Sequence, residues 1–421
     1  MTLKIAVVGG GSTYTPELAD GVARLADVLA VDELMLIDPA EQRLATVGAF
    51  CERLFAHHGH TGRVRWTSDP DEGLDGADIV LIQLRIGGQA ARISDETFPL
   101  EFGCVGQETT GAGGLAKALR TVPVVLEVAE RAARRAAPGA WIIDFTNPVG
   151  IVTRALLDAG HRAVGLCNVA IGLQRRIAGL VGARPSDVEL GHVGLNHLTW
   201  ELSATVGGVD VLPGILAEHA DEIAAEIGLP PSMLTGSGTV PSYYLRYFYA
   251  HDAVVAEQRR SPTRGEEVAR IEADLLATYA DPTVHTKPEA LGKRGGAYYS
   301  EAAVGLVAAL RGDTTGGHAA NVRNGGTLPF LGDEAVIEVT CDVDERGAHP
   351  RPVAPLAPQL RALIGHVSAY EDLAVDAALR GGSERVYQAL LAHPLVGQHE
   401  TAAALTDRLI AANTAHLAWA R

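Results

Sequence analysis

Short aliphatic runs alternate with longer amphipathic stretches through the first half of the chain. Ile5–Val8, Leu34–Ile37, Val64–Thr67, Ile79–Gln83, Trp141–Phe145 and Ala163–Leu166 have the length and β-branched content of strands. Between them lie segments of helical length and period, such as Glu41–His57 and Gly114–Ala136. Strands that are apolar on both faces and separated by helices belong to a parallel sheet covered on both sides. From about Thr199 the rhythm changes. Trp200–Val206 and Val209–Leu212 flank Gly207-Gly208, a hairpin signal, and a helix-rich region runs on to about Leu310. A further strand, Ala335–Cys341, precedes helices over Pro358–Leu379, Glu384–Ala392 and Thr401–Ala420. The pattern predicts an α/β chain, with a doubly wound parallel sheet in residues 1–198 and a second, mainly helical α+β domain in residues 199–421.

Composition narrows the function classes. With 421 residues, 47% of them hydrophobic and 20% charged, the chain can bury a large core. A formal net charge of -16 and the lack of any basic run argue against nucleic acid or an acidic membrane as partner, so an anionic ligand has to be held by a few placed arginines or backbone amides. No stretch approaches the ~20 apolar residues of a membrane span, and the apolar start of the chain meets glycines too early for a signal peptide, so a cytoplasmic location is expected. Cys51, Cys104, Cys167 and Cys341 lack CxxC spacing and read as reduced thiols.

The amino-terminal strand enters Gly9-Gly10-Gly11-Ser12-Thr13-Tyr14, and Thr15-Pro16-Glu17 supplies the cap, first-turn proline and first-turn acid of a helix. This is the strand, glycine turn and helix of a Rossmann-like dinucleotide site, except that Tyr14 stands where the third glycine belongs. Asp38 ends the second strand, where a carboxylate accepts hydrogen bonds from an adenosine ribose and disfavours a 2′-phosphate, so NAD is expected rather than NADP. Other polar phrases sit at strand ends or loops: Gly106-Gln107-Glu108-Thr109-Thr110-Gly111, Asp144-Phe145-Thr146-Asn147-Pro148, Gly165-Leu166-Cys167-Asn168 and Gly194-Leu195-Asn196-His197. Taken singly, each is an ordinary turn, and a thiol and an imidazole 30 positions apart are too few ligands for a structural zinc.

Taken together and in order, VGGGSTYTPEL, GQETTGAGG, DFTNP, GLCN, GLNHL, PSYYLRYFY, ALGKRGGAYYS and NVRNGG resemble the family 4 glycoside hydrolases, in particular their phospho-β-glucosidase branch, over about residues 4–325. The resemblance implies that Cys167 and His197 coordinate Mn²⁺ or another divalent metal with the sugar hydroxyls, that Tyr244 is the catalytic base, that Arg85 and Arg264 hold the sugar phosphate, and that Asn147 and Asn168 contact the sugar. The NAD contacts would be Gly9, Gly10, Gly11, Ser12, Thr13 and Asp38 in residues 1–198, with residues 199–421 serving substrate binding and oligomerisation as a homodimer or homotetramer. One departure and one branch marker carry information. Ala170 replaces the family's usual proline two residues after the asparagine of the CN pair, which bears on sugar specificity, and Asn168 stands where the α-specific branch has an acidic proton donor.

The implied reaction hydrolyses a 6-phospho-β-glucoside without the paired carboxylates of most glycosidases. Hydride leaves C3 for NAD⁺, the C2 proton goes to Tyr244, and the aglycone is eliminated before water adds and the hydride returns. The alternatives are an NAD-dependent hydroxy-acid or sugar dehydrogenase, which would release NADH, a non-catalytic NAD sensor, and a family 4 glycosidase of altered sugar specificity.

Overall fold

A computed structural model describes residues 3–296 and 298–420 of the chain. Among the described residues thirteen strands form one continuous sheet. They are β1 (Lys4–Val8), β2 (Glu33–Ile37), β3 (Arg63–Thr67), β4 (Ile79–Ile82), β5 (Trp141–Asp144), β6 (Ala163–Gly165), β7 (Val188–Leu195), β8 (Leu198–Val206), β9 (Val209–Asp210), β10 (Val240–Pro241), β11 (Gly317–Arg323), β12 (Val336–Asp344) and β13 (Gly347–Pro350). The order β3-β2-β1-β4-β5-β6 is parallel throughout and reverses direction of winding between β1 and β4, the crevice where doubly wound sheets bind ligands. β2, β4 and β5 are buried along their whole length, as near-continuous aliphatic strands between helical layers must be.

The second half of the chain extends this sheet rather than building one of its own. β11 pairs antiparallel with β6 through Asn321 and Gly165, and β12, β7, β8 and β10 follow in antiparallel order. Gly165 permits the junction, since a Cβ there would lie 2.8 Å from Asn321 Cβ and collide with Thr153. The change of rhythm read near Thr199 falls beside the two-residue turn Asn196-His197 that joins β7 to β8. Helices of the second half, including Arg264–Ala280 and Tyr299–Leu310, return to pack against the first-half helices Glu41–His57, Gly88–Thr97 and Thr15–Arg24. Gly21 admits the closest of these approaches, because a Cβ there would strike Ser300.

Several elements differ from their expected extents. The helix expected from Gly114 begins at Gly111, and Val209–Leu212 is a strand only to Asp210, because Pro213 in the first turn starts the helix Leu212–Ile227. The terminal helix expected over Thr401–Ala420 runs from His399 to Asn413. Among the described residues no helix is long and apolar enough to cross a membrane.

Candidate active site

The carboxyl ends of β1, β4, β5 and β6 open into a cavity of about 1190 Å³. Gly9, Gly11, Ser12, Asp38, Arg85, Asn147, Cys167, Asn168, His197, Tyr244 and Arg264 all line it. Gly10 and Thr13 do not. Gly10 packs on β2, where a Cβ would sit 2.7 Å from Leu36 Cβ, and the Thr13 side chain is buried behind the turn.

At the nucleotide end, Gly9 adopts a φ of 87°, and the amides of Gly9 and Gly10 both donate to Ile37 O at 2.9 Å. Asp38 Oδ2 accepts the Gly11 amide at 3.1 Å, and a Cβ on Gly11 would lie 2.8 Å from Asp38 Cγ. The glycine therefore brings the acid against the turn, as a ribose-binding carboxylate requires. Tyr14, in place of the third glycine, turns its ring toward the second half of the chain, where its hydroxyl donates to Gly296 O and its face meets Tyr299 edge-on at 5.7 Å.

His197 occupies the turn between β7 and β8 with a φ of 62°, a left-handed conformation that a two-residue hairpin demands and a non-glycine residue adopts at some cost. Its ring stacks on Tyr244 with centroids 3.6 Å apart and planes 7° from parallel. Gln107 Oε1 accepts the Thr109 hydroxyl at 2.7 Å and the Thr110 amide at 3.2 Å. Having spent its only hydrogen, the Thr109 oxygen accepts from His197 Nδ1 at 2.8 Å, which leaves the lone pair on Nε2. Burial pushes His197 down to about 4, so the ring is neutral at physiological pH. A neutral imidazole with its tautomer set by an oriented hydroxyl is a prepared metal ligand.

Cys167 follows β6 and is 8% exposed. Burial raises its thiol and the nearby Glu338 carboxylate raises it further, while the Val169 and Asn168 amides and the Asn196 side chain bond to the sulfur and oppose the shift. A bound cation would supply the charge that makes it a thiolate. Behind it, Asn196 Nδ2 and Asn321 Nδ2 each donate to Glu338 Oε2 at 2.8 Å, and His192 sits between Glu201 Oε1 at 2.6 Å and Glu338 Oε1 at 3.0 Å. Burial disfavours the His192 cation, but the two carboxylates outweigh it and raise the ring to about 10. Among the described residues no three His, Cys, Asp or Glu side chains cluster as a metal would need, and Cys167 and His197 both line the cavity. Asn147 adds a buried Oδ1 that has no hydrogen-bond partner among the described residues.

Opposite lies a cationic lobe. Glu108 Oε2 takes Lys117 Nζ at 2.7 Å and Arg85 Nη1, and Oε1 faces Arg92 Nε at 3.2 Å. Burial works against the Glu108 charge, yet Arg85, Lys117 and Arg92 hold the carboxyl well below its ordinary range. Three cations over Glu108 and Glu96 leave a local excess of positive charge on an acidic protein. Arg92 also bonds Glu96 at 2.8 Å, and Glu96 accepts the Gly265 amide at 2.7 Å, which brings Arg264 to the same rim. Arg264, 44% exposed, is held by Glu267 at 3.0 Å and Lys293 O at 2.6 Å.

Sequence reading passed over Arg92, Lys117 and Glu108 as site residues. Glu108 stood inside a quoted phrase, but nothing local shows that its carboxylate is shared. Arg120, on the helix that follows that phrase, is buried against Asp95 and Asn413 and does not line the cavity.

The Family 4 glycosyl hydrolase description matches residues 4–183, and the description of that family's C-terminal domain matches residues 192–396. The chain belongs to the family 4 glycosyl hydrolases. It is therefore a glycosidase. This family 4 hydrolase is 35% identical to a probable 6-phospho-beta-glucosidase of Bacillus subtilis, over 99% of this chain and 97% of that one. A phospho-alpha-glucosidase of Clostridium acetobutylicum is 28% identical, over 97% of each chain. The fold superposes with a TM-score of 0.92 and 33% identity on the 6-phospho-beta glucosidase of Thermotoga maritima in a form with manganese, NAD+ and glucose-6-phosphate, covering 98% of this chain and 99% of that one.

Proposed function

We propose that this family 4 hydrolase cleaves 6-phospho-β-glucosides in the cytoplasm, with NAD and a divalent metal such as Mn²⁺ as cofactors. One observation carries the reading: the glycine turn with Asp38, the Cys167 and His197 pair, Tyr244 and the Arg85, Arg92 and Lys117 lobe all face a single cavity. A plain dehydrogenase would have no use for the metal pair or the buried phenol. When bound, NAD supplies a hydride acceptor that is restored at each turnover, and the metal supplies Lewis acidity at the sugar hydroxyls.

The residues divide the remaining work. Asp38 accepts from the adenosine ribose, and Cys167 and neutral His197 hold the metal. Arg85, Arg92, Lys117 and Arg264 supply the charge-assisted bonds that fix a 6-phosphate, and Asn147 and Asn168 orient sugar hydroxyls. Tyr244 takes the C2 proton, and the electrons of the broken C–H bond expel the aglycone from C1. Burial raises the Tyr244 phenol, as do the Cys167, Glu108 and Tyr243 charges, while Arg92 lowers it. Ionisation has to be driven by cations in the same cavity, which ties the base to a metal held beside His197, the ring it stacks against. The neutral Asn168 beside Cys167, and the higher identity to β-named than to α-named relatives, favour the β-linkage. A doubly charged sugar phosphate does not cross a membrane unaided, and all four cysteines are free and buried, which suits a reducing compartment.

The test is turnover of nitrophenyl 6-phospho-β-glucoside with NAD⁺ and Mn²⁺ omitted in turn, followed by product analysis in D₂O. Activity should need both cofactors, yield no net NADH and place deuterium at C2, and Tyr244→Phe should abolish C2 exchange while NAD still binds. Full activity without NAD⁺ and an unlabelled C2 would falsify the proposal, and stoichiometric NADH would mark a dehydrogenase.

A further inference from the structure

The glycine turn that receives the dinucleotide has few amides left to offer. Gly9, Gly10 and Gly11 donate to Ile37 O and Asp38, Ser12 donates to Gly9 O at 3.0 Å, and Tyr14 donates to Ser12 Oγ at 3.2 Å. Residue 16, in the first turn of the helix, is proline and has no N–H. A diphosphate against this turn carries two negative charges and needs donors that the local backbone mostly spends on itself.

A distant segment supplies one. Arg294, 13% exposed, follows the short helix Glu289–Lys293 and reaches across the cavity to the turn. Its Nε donates to Thr13 Oγ1 at 2.7 Å, and its Nη2 donates to Ser12 Oγ at 3.3 Å and to Glu272 Oε1 at 2.9 Å. The Thr13 hydroxyl passes its own hydrogen to Glu272 Oε1 at 3.1 Å. Two donors on cavity-lining residues then remain without an acceptor among the described residues: Arg294 Nη1 and the Ser12 hydroxyl. Arg294, Ser12, Gly9 and Gly11 all line the cavity. The segment is keyed in place by the Tyr14 hydroxyl on Gly296 O, where Gly296 has a φ of 86° and a Cβ would sit 2.7 Å from the Tyr14 ring. Tyr14 thus gives up the close helix packing of a third glycine and instead anchors the segment that carries the arginine.

We propose that Arg294, together with the Ser12 hydroxyl, binds the diphosphate of the dinucleotide, so that the second half of the chain closes the cofactor site. The inference rests on the assignment of this cavity to NAD. Glu272 is the positioning residue, since it fixes the guanidinium and also meets Arg43 Nη2 at 3.5 Å and Gln89 Nε2 at 3.0 Å. The geometry suits a cofactor that is regenerated in place and has no need to leave at each turnover.

The experiment compares dissociation constants of NAD⁺, ADP and adenosine, by titration calorimetry and ligand-observed NMR, for the wild-type protein, Arg294→Met and Arg294→Lys. Loss of a charge-assisted bond should weaken NAD⁺ and ADP by about 10- to 100-fold in Arg294→Met and leave adenosine within about 2-fold. Arg294→Lys, which keeps the charge beside Glu272, should recover part of the loss and serves if the methionine variant does not fold. Equal weakening of ADP and adenosine, or unchanged NAD⁺ affinity in a folded variant, overturns the role of Arg294 while leaving the NAD assignment intact. Failure of the wild-type protein to bind NAD⁺ or ADP overturns both.

Discussion

Glu108→Gln is the perturbation whose size the structure sets most directly. The carboxylate and Lys117 are 8% and 3% exposed, and the substitution removes the one negative charge that Lys117 and Arg85 share, while Arg92 keeps Glu96. Leaving buried charges without their partner costs about 3–5 kcal/mol. For 421 residues, an unfolding entropy of about 2.1 cal/mol/K per residue gives roughly 0.9 kcal/mol per degree, so Tm should fall by about 3–6 °C. The lobe that loses its carboxylate becomes a stronger anion site. Inorganic phosphate or glucose 6-phosphate should therefore raise Tm more in the variant than in the wild-type protein, by the mass-action term for a ligand that binds only the native state. Scanning calorimetry at pH 7 and low salt, with and without phosphate, reads both effects. A drop of under about 1 °C would show that Glu108 does not balance these cations. An identical phosphate shift in the two proteins would show that the lobe is not where the dianion binds.

Two further outcomes follow from individual side chains. Arg264→Ala should raise KM for a phosphorylated glucoside by roughly 10-fold or more and leave the unphosphorylated analogue nearly unchanged, since a phosphate clamp acts in ground and transition states alike, and equal effects in steady-state assays would make the arginine structural. Glu371, buried between the helices Pro358–Arg380 and Val149–Asp158, is raised by that burial, with Asp372 adding, from 4.5 to about 8. The native state then keeps a proton that the unfolded chain releases, so its contribution is complete below pH 4.5 and is lost as pH rises to 8, at a slope approaching about 1.4 kcal/mol per pH unit. Urea unfolding across this range should show a flatter pH profile for Glu371→Gln, and superimposable profiles would refute the assignment.

Features that depend on neighbours along the chain could be read directly from its residues. β1, the glycine turn, the first-turn proline of the next helix and Asp38 after β2 form within one βαβ unit, where aliphatic runs, glycine φ and proline spacing act locally. The phrases around Cys167, His197 and Tyr244 carried no such local signal, and became legible only through the family resemblance of the whole ordered series. Helix limits were less legible. Three glycines in the first turn argue against a helix, yet it begins at Gly111 because backbone from Asp95, Gln107 and Thr109 lies where a Cβ at Gly113 or Gly114 would stand. Only the tertiary structure decided that β11 joins β6 through one residue pair and carries the sheet into the second half, since that pairing links positions 165 and 321 and leaves no periodic trace. The same holds for the charges. Whether an arginine is a salt bridge or a ligand clamp depends on how many partners share its carboxylate, as at Glu108 and Glu272, and those partners arrive from segments up to 259 residues apart, as Thr13 and Glu272 are. Burial and mutual distance set such electrostatics, and both exist only once the chain has folded.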